Sequence, residues 1–345
     1  PPHLPTRPLA RPPDSKLETQ PETHTETHNT HTTQALFFAA QTLHIKLRHD
    51  FDQLPRQSLP DLQQSIVAHV YRFSAGPRNV LTKLCLALAA FAVRTHASEL
   101  WGAGRDVVAT LVATFTKSGT PEHLVCLLEL LHVLLAEADD DRLDVDRDVR
   151  RAFMHTVRAS SARVLEFLAQ TLAQSGNNAK VHEGIFRCLA SWVFWGDISC
   201  ATLMGAAPQL VSATFTALAA PHLFDVAVDA ALELTRTYDD FRLHGPVCTV
   251  LVPGVMAQAP RLRDAIARGD DRTVTGLTRL VVELGFSYMD LIVGDAEINQ
   301  GEVVATVLQS TLSPDTEVAR MTLPFWGNLS RKLREAKDVE YGMNG

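Results

Sequence analysis

Positive charge is not in excess in this sequence. Its 345 residues carry 32 Lys and Arg against 39 Asp and Glu, a formal net charge of -7. That balance argues against a general nucleic-acid binder. Aromatic residues are only 7% of the chain, while Leu, Ala and Val dominate the 46% that is hydrophobic. That composition favours helix over sheet. The five cysteines, Cys85, Cys126, Cys188, Cys200 and Cys248, show no CxxC spacing, which excludes a zinc ribbon and a redox pair. They read as reduced, buried thiols of a cytosolic or nuclear protein. No apolar run reaches the ~18 residues of a membrane span. The nearest, Leu84 to Val93, is bracketed by Lys83 and Arg94. The N-terminus has no apolar signal core.

Catalytic spacings are missing too. No GxxxxGK[ST] run is present, so no phosphate-cradling loop is expected. Gly102-Ala103-Gly104 has no strand before it. His182-Glu183 is followed at the fifth position by Arg187 rather than His, which breaks zinc-protease spacing. Asp144, Asp146 and Asp148 copy the first spacings of a calcium loop, but Val149 and His155 stand where its Gly and Glu must be. Asn328-Leu329-Ser330 is a glycosylation sequon by letter only. These absences point to a non-enzyme without metal or cofactor.

Helical pattern fills the chain beyond a low-complexity start. Pro1 to Thr33 is rich in Pro, Thr, His and Glu, with almost no large apolar residue. It reads as a disordered tail, and its His24, His28 and His31 have no rigid frame to hold a metal. Residues 34–340 read as a solenoid. Gln34 to Arg48 places Leu36, Phe37, Ala40, Leu43 and Leu47 on one stripe. Helices follow over about Ser58–Phe73, Pro77–Thr95, Arg105–Thr116 and Pro121–Glu137. After the acidic linker EADDDRLDVDRD comes a single long helix, Val145–Gln174. Later pairs are Leu203–Leu218 with Pro221–Tyr238, His244–Arg268 with Asp271–Gly294, and Glu302–Thr311 with Pro314–Lys337. Second helices start near Pro77, Pro121, Asn178, Pro221, Asp271 and Pro314, about 43 to 57 residues apart. That is close to the ~40–47 of HEAT repeats. The expected fold is all-α, an α-α superhelix of HEAT-repeat, armadillo-like type. Its first helix is expected to be an unpaired second-type helix, and neither end carries a polar cap.

One stretch stands out. Val181 to Gly196, VHEGIFRCLASWVFWG, has apolar residues on two faces and the aromatics Phe186, Trp192, Phe194 and Trp195. A helix of this kind belongs between neighbours, and its aromatics read as packing rather than as a stacking platform for a ligand. The acidic linker reads as a solvated loop or as an electrostatic contact for a basic partner. Glu137, Asp139, Asp140 and Asp141 are its densest part.

Several segments resemble the importin-β superfamily, in its transportin-3 and importin-13 branch. They are Leu36–Leu47, Asp50-Phe51 with Leu54-Pro55, Leu84–Ala89, Leu127–Leu131, Phe186–Trp192 with Gly196, and Glu317–Ala319 with Phe325, Trp326 and Leu329. Their shared order carries the resemblance, and Phe186–Trp192 is its most specific piece. The resemblance implies a nuclear transport receptor shuttling between nucleus and cytoplasm. Its N-terminal repeats would bind the small GTPase Ran in its GTP form, and its partners would include protein cargo and nuclear pore proteins, with no nucleic acid and no membrane insertion. Family inner helices face Ran, which points to the off-stripe polar residues Gln41, His44, Lys83 and Glu129, joined by the acidic group at Glu137–Asp141. Two departures accompany the resemblance. The outer helix of the first repeat is missing, and the chain corresponds to about the first third of such a receptor. The arginine-rich helix that reads serine/arginine-rich cargo in the transportin-3 branch corresponds to sequence beyond Gly345, so the resemblance carries over no cargo specificity, and serine/arginine-rich protein stays one candidate cargo. The alternative is a HEAT scaffold subunit of a cytosolic complex unrelated to transport.

Overall fold

A computed structural model describes residues 23–294 and 300–342. All regular structure among them is helical: α1 (Thr23–His49), α2 (Leu59–Arg72), α3 (Arg78–Thr95), α4 (Val107–Thr116), α5 (Pro121–Asp139), α6 (Arg147–Arg158), α7 (Ser161–Gln174), α8 (Ala179–Trp195), α9 (Cys200–Ala206), α10 (Pro208–Ala217), α11 (Phe224–Thr237), α12 (Phe241–Met256), α13 (Ala259–Arg268), α14 (Asp271–Ser287), α15 (Met289–Val293), α16 (Gln300–Thr311), α17 (Thr316–Met321) and α18 (Leu323–Gly342).

Starts and stops follow local chemistry. Pro121 and Pro208 open their helices where a missing N–H costs nothing. Asp106, Asn178, Ser199 and Asp270 cap theirs by accepting from the backbone N–H of Ala109, Val181, Thr202 and Thr273. Gly269 ends α13 in the left-handed region at φ 68°, which glycine adopts without a steric penalty.

Five expected helices divide. The long helix over 145–174 breaks at Ala159-Ser160 into α6 and α7, where no Pro or Gly marks the bend. The helix over 203–218 becomes α9 and α10, because Ala207 precedes Pro208 and takes φ −155°, ψ 53°. The segments 244–268, 271–294 and 314–337 divide likewise, at Ala257-Gln258, at Tyr288 and at Thr322. The strand-like run Val247–Val255 is helical, inside α12. At the start, α1 begins at Thr23 rather than Gln34, since no Pro or Gly interrupts the chain between Glu22 and His49. Residues 1–22 of the expected tail lie outside the described residues, as do the side chains of His24, His28 and His31.

The inner layer is a ladder. Helix α1 packs on α3, α3 on α5, α5 on α8, α8 on α11, and α11 on α14, which meets α16, α17 and α18. The partner helices α2, α4, α7, α10 and α13 each cover one rung. So α1 is a second-type helix, and α8 is an inner helix of a middle repeat, as its two apolar faces predict. Rungs inside the ladder are buried nearly all round: Ala87 to Val93 of α3 and Cys126 to Leu131 of α5 are all inaccessible or almost so. Each Leu or Phe buried there contributes about 1.5–3 kcal/mol. All five cysteines are free and buried. Burial pushes the Cys126 thiol up to about 12 and raises those of Cys85 and Cys188, so these three are inert.

The aromatic cluster of α8 splits. Trp192 is fully buried, Trp195 is half-buried, and Phe194 is 56% exposed. Phe194 falls one residue past the buried Val193 and so turns outward, with its ring edge-on to Trp195 at 4.5 Å. The expectation that the whole cluster is packing therefore holds for Trp192 and fails for Phe194.

Rung spacing is tight where α14 meets α11. A Cβ at Gly276 would lie 2.7 Å from the Phe224 ring. The guanidinium groups of Arg261 and Arg272 stand over that ring, 4.9 and 5.7 Å from its centre, and restrict its movement. Gly276→Ala should gain roughly 1 kcal/mol of helix propensity and lose about 1–3 kcal/mol to overpacking. We expect a net lower urea midpoint; a higher one would show that the two helices can separate at no cost.

Candidate functional site

Buried charged residues are few on the first four inner rungs, α1, α3, α5 and α8, and they fall in two groups. The first joins α1 to the end of α5. Arg48 grips Glu137 with two hydrogen bonds, both 2.6 Å, and reaches Asp140 at 2.8 Å. His44 Nε2 lies 2.8 Å from Glu137 Oε1, the oxygen that also accepts from Arg48 Nε. The Glu137 side chain is 1% exposed. The backbone closes the knot: the Arg48 carbonyl accepts from the N–H of Asp144, at 3.3 Å, and from the Arg94 guanidinium. The acidic loop is thereby fastened to the first helix.

Electrostatics follow from these contacts. Burial alone would raise the Glu137 carboxyl, but the hydrogen bonds and charges of His44 and Arg48 together outweigh it and hold it below the ordinary range. Asp140 is held far below that range, first by the Arg142 side chain at 2.8 Å and also by Arg48, against a smaller effect of burial. Burial pulls the Arg94 guanidinium down, with Asp52 and Asp144 acting the other way.

The second group joins α3, α5 and α8. Glu129 accepts from the Thr82 hydroxyl at 2.6 Å and from Arg187 at 2.5 Å. Ser191 donates to the His132 carbonyl at 2.6 Å, and Trp192 Nε1 donates to the Leu131 carbonyl at 2.9 Å. His132 Nδ1 sits 3.1 Å from the Arg187 carbonyl. Arg187, Ser191 and Trp192 all belong to the FRCLASW run. That run is distinctive because its polar atoms are the connectors between rungs.

Six of the eight residues singled out in the sequence line one cleft of about 690 Å³: Gln41, His44, Lys83, Glu137, Asp140 and Asp141. The cleft also takes in Arg48, His49, Arg142 and Asp144. The expectation that the off-stripe residues are free for a partner needs correcting. His44, Glu129 and Glu137 are buried at 4, 5 and 2% exposure and are committed to each other or to Arg and Thr. A buried carboxylate without its cation would cost several kcal/mol, so these groups are structural. Asp140 is half-buried in the same knot. Asp139 and Asp141 are exposed, while Lys83 and Gln41 are half-buried at the cleft wall. Sequence reasoning missed Arg48 and Arg187. Their partners lie 89 and 58 residues away, and no local spacing signals pairs of that kind.

The chain is similar to known proteins along most of its length. The family model for Exportin 1-like protein matches residues 77–230, and that for the Transportin-3/Importin-13 second TPR domain matches residues 269–343. Transportin MOS14 of Arabidopsis thaliana is 28% identical over 305 residues, covering 87% of this chain and 31% of that protein. Importin-13 of Bos taurus is 28% identical over 301 residues, covering 85% and 30%. Importin-13 of Gallus gallus is 30% identical over 285 residues, covering 79% and 29%. A solved structure of importin 13 in its cytosolic state superposes with a TM-score of 0.64 at 16% identity, over 87% of this chain and 34% of that one; this shows the shared fold. The chain spans about 30% of the length of the curated relatives it matches. The resemblance to the importin-β superfamily, in its transportin-3 and importin-13 branch, holds along nearly the whole described solenoid.

The knot makes two measurable predictions. Arg48→Met strands the buried Glu137 charge and should cost about 3–5 kcal/mol, while Arg48→Met with Glu137→Leu should recover most of it; equal urea midpoints for the two variants would contradict this. Glu137 and Asp140 have lowered folded pKa values. Their contribution to stability is therefore complete above the ordinary carboxylate range, about pH 4, and is lost as pH falls below it through the folded values. Melting temperature should drop steeply below about pH 4 in the parent chain and less steeply in Glu137→Gln.

Proposed function

We propose that the chain is the Ran-binding arch of a nuclear transport receptor, shuttling between nucleus and cytoplasm. It binds Ran in the GTP form through the inner helices α1, α3 and α5 and contributes to the import of protein cargo. The observation that carries this reading is the match to importin-13 and transportin sequences over some 300 residues, combined with a ladder whose first three inner rungs open on a polar cleft. The residues offered to a partner are Lys83, Gln41 and Asp141 of that cleft, together with the exposed Asp139. His44, Arg48, Glu129 and Glu137 hold the three rungs in register beneath them.

The mechanism in this reading is mechanical. Ran binding would use energy from its own nucleotide cycle to select one curvature of the solenoid, and cargo would be exchanged as the curvature changes. The chain supplies contacts and stiffness and no bond chemistry. Cargo, serine/arginine-rich protein among the candidate classes, and nuclear pore proteins are the further partners of such a receptor. Among the described residues no helix is long and apolar enough to cross a membrane.

The test is binding of the purified chain to Ran loaded with a non-hydrolysable GTP analogue or with GDP. Binding to the GTP form alone supports the reading, and equal binding to both forms, or none, overturns it. Lys83→Glu should weaken that binding about tenfold, roughly the effect of reversing one charge at an interface rim. The melting temperature should stay the same, because no ion pair joins Lys83 to a described residue.

A further inference from the structure

Helix α6 and the end of α8 form a surface that the proposed Ran contact does not use. Helix α6 packs against α5 and α3 through Phe153, Met154 and Val157, all buried. Its other side carries Arg147, Arg151, His155 and Arg158, all exposed. At 100° per residue these four positions fall within a single stripe less than a quarter-turn wide, and at 1.5 Å per residue they extend over roughly 16 Å. Neighbouring members stand about 6 Å apart along the axis for each step of four residues.

The cations of this stripe are poorly neutralised. Arg147 makes no ion pair with a described residue. Arg151 pairs with Asp148 at 3.2 Å, with both side chains largely in solvent, a pairing worth little. Arg158 spends its Nε on the Trp195 carbonyl at 2.9 Å, which leaves the ends of its guanidinium toward solvent. Asp146, beside Arg147, and Asp197, two residues past Trp195, are exposed and appear in no ion pair. The Arg158–Trp195 bond also places the aromatic step of α8 at the end of the stripe. There Phe194 is 56% exposed, with its ring against Trp195. A row of guanidinium groups that ends on an exposed aromatic ring is a composite surface.

We propose that this surface binds an extended acidic protein segment carrying a hydrophobic residue at one end. An extended chain places alternate side chains about 6.6 Å apart on one face, close to the ~6 Å axial step from Arg147 to Arg151. Carboxylates at alternate residues can therefore meet Arg147 and Arg151, and one two alternate positions further on comes within side-chain reach of Arg158, about 10.5 Å beyond Arg151, while an apolar side chain beyond them would cover Phe194. Charge supplies the register and the aromatic step supplies the end point. The interaction needs no nucleotide and does not depend on the Ran reading.

The probe is a fluorescein-labelled peptide of alternating aspartate and serine with phenylalanine at both ends, followed by anisotropy with the full chain. Binding should weaken at least about tenfold between roughly 0.05 and 0.3 M salt, as exposed charges are screened. Arg147→Gln with Arg151→Gln should weaken it by a similar factor at low salt. Phe194→Ala should weaken binding of this peptide and leave unchanged that of a peptide without phenylalanine. Circular dichroism confirms that the variants fold, since none of the three side chains is buried. No binding, equal binding by the double arginine variant, or equal binding of a peptide with asparagine in place of aspartate would each overturn the proposal.

Discussion

Every inner helix of this solenoid has to be covered on both sides. An apolar face left in water costs about 25 cal/mol for each Å², and rungs such as α3 and α5 are apolar nearly all round. No helix pair can satisfy that demand alone. The repeat is therefore a device for handing an uncovered face to the next neighbour. Small residues set how closely the rungs approach. Alanines pack α3, and Gly184 and Gly276 stand where α8 meets Leu128 and α14 meets Phe224.

Apolar contact is strong but gives little direction. A ladder made of it alone could slide by one turn between rungs. The buried polar groups remove that freedom. Glu129 is satisfied only when Thr82 and Arg187 both arrive, and Glu137 only when His44 and Arg48 do. A shift of one helical turn, about 5.4 Å, would leave a carboxylate buried and unpaired. The few polar residues of the first four rungs thus fix their register, and the leucines supply most of the adhesion.

This division of labour explains what could be read from the sequence. Leucine and alanine spacing is a local signal with a period of 3.6, so helix existence, the repeat period and the two-faced nature of α8 were all legible. Bends without Pro or Gly, such as Ala159-Ser160, were not, because only packing decides them. The cleft was half legible. Off-stripe polar residues on α1, α3 and α5 did gather around one space, yet exposure could not be told from commitment. Glu129 and Lys83 look alike as off-stripe positions, and only the partner from another rung separates the 5% exposed anchor from the half-buried cation. Phe194 failed for the opposite reason: its neighbours Val193 and Trp195 suggested burial, and a rotation of one residue turned it outward.

The ionic links are not spread evenly along the superhelix. Helices α11 and α14 share three ion pairs, Asp225 with Arg272, Asp229 with Arg279 and Glu283 with Arg236. Helices α5 and α8 share Glu129 with Arg187 plus the bonds from Ser191 and Trp192. Between α8 and α11, no ion pair or side-chain hydrogen bond joins the two helices among the described residues. The nearest polar tie is Tyr238 to the Ile198 carbonyl, in the segments that follow each helix. The α11–α14 pairs of Arg272 and Arg279 stand largely in solvent and add little stability, whereas Glu129 is buried and binds its rungs together. The α8–α11 junction is held by apolar packing, so its register rests on the fit of those two faces.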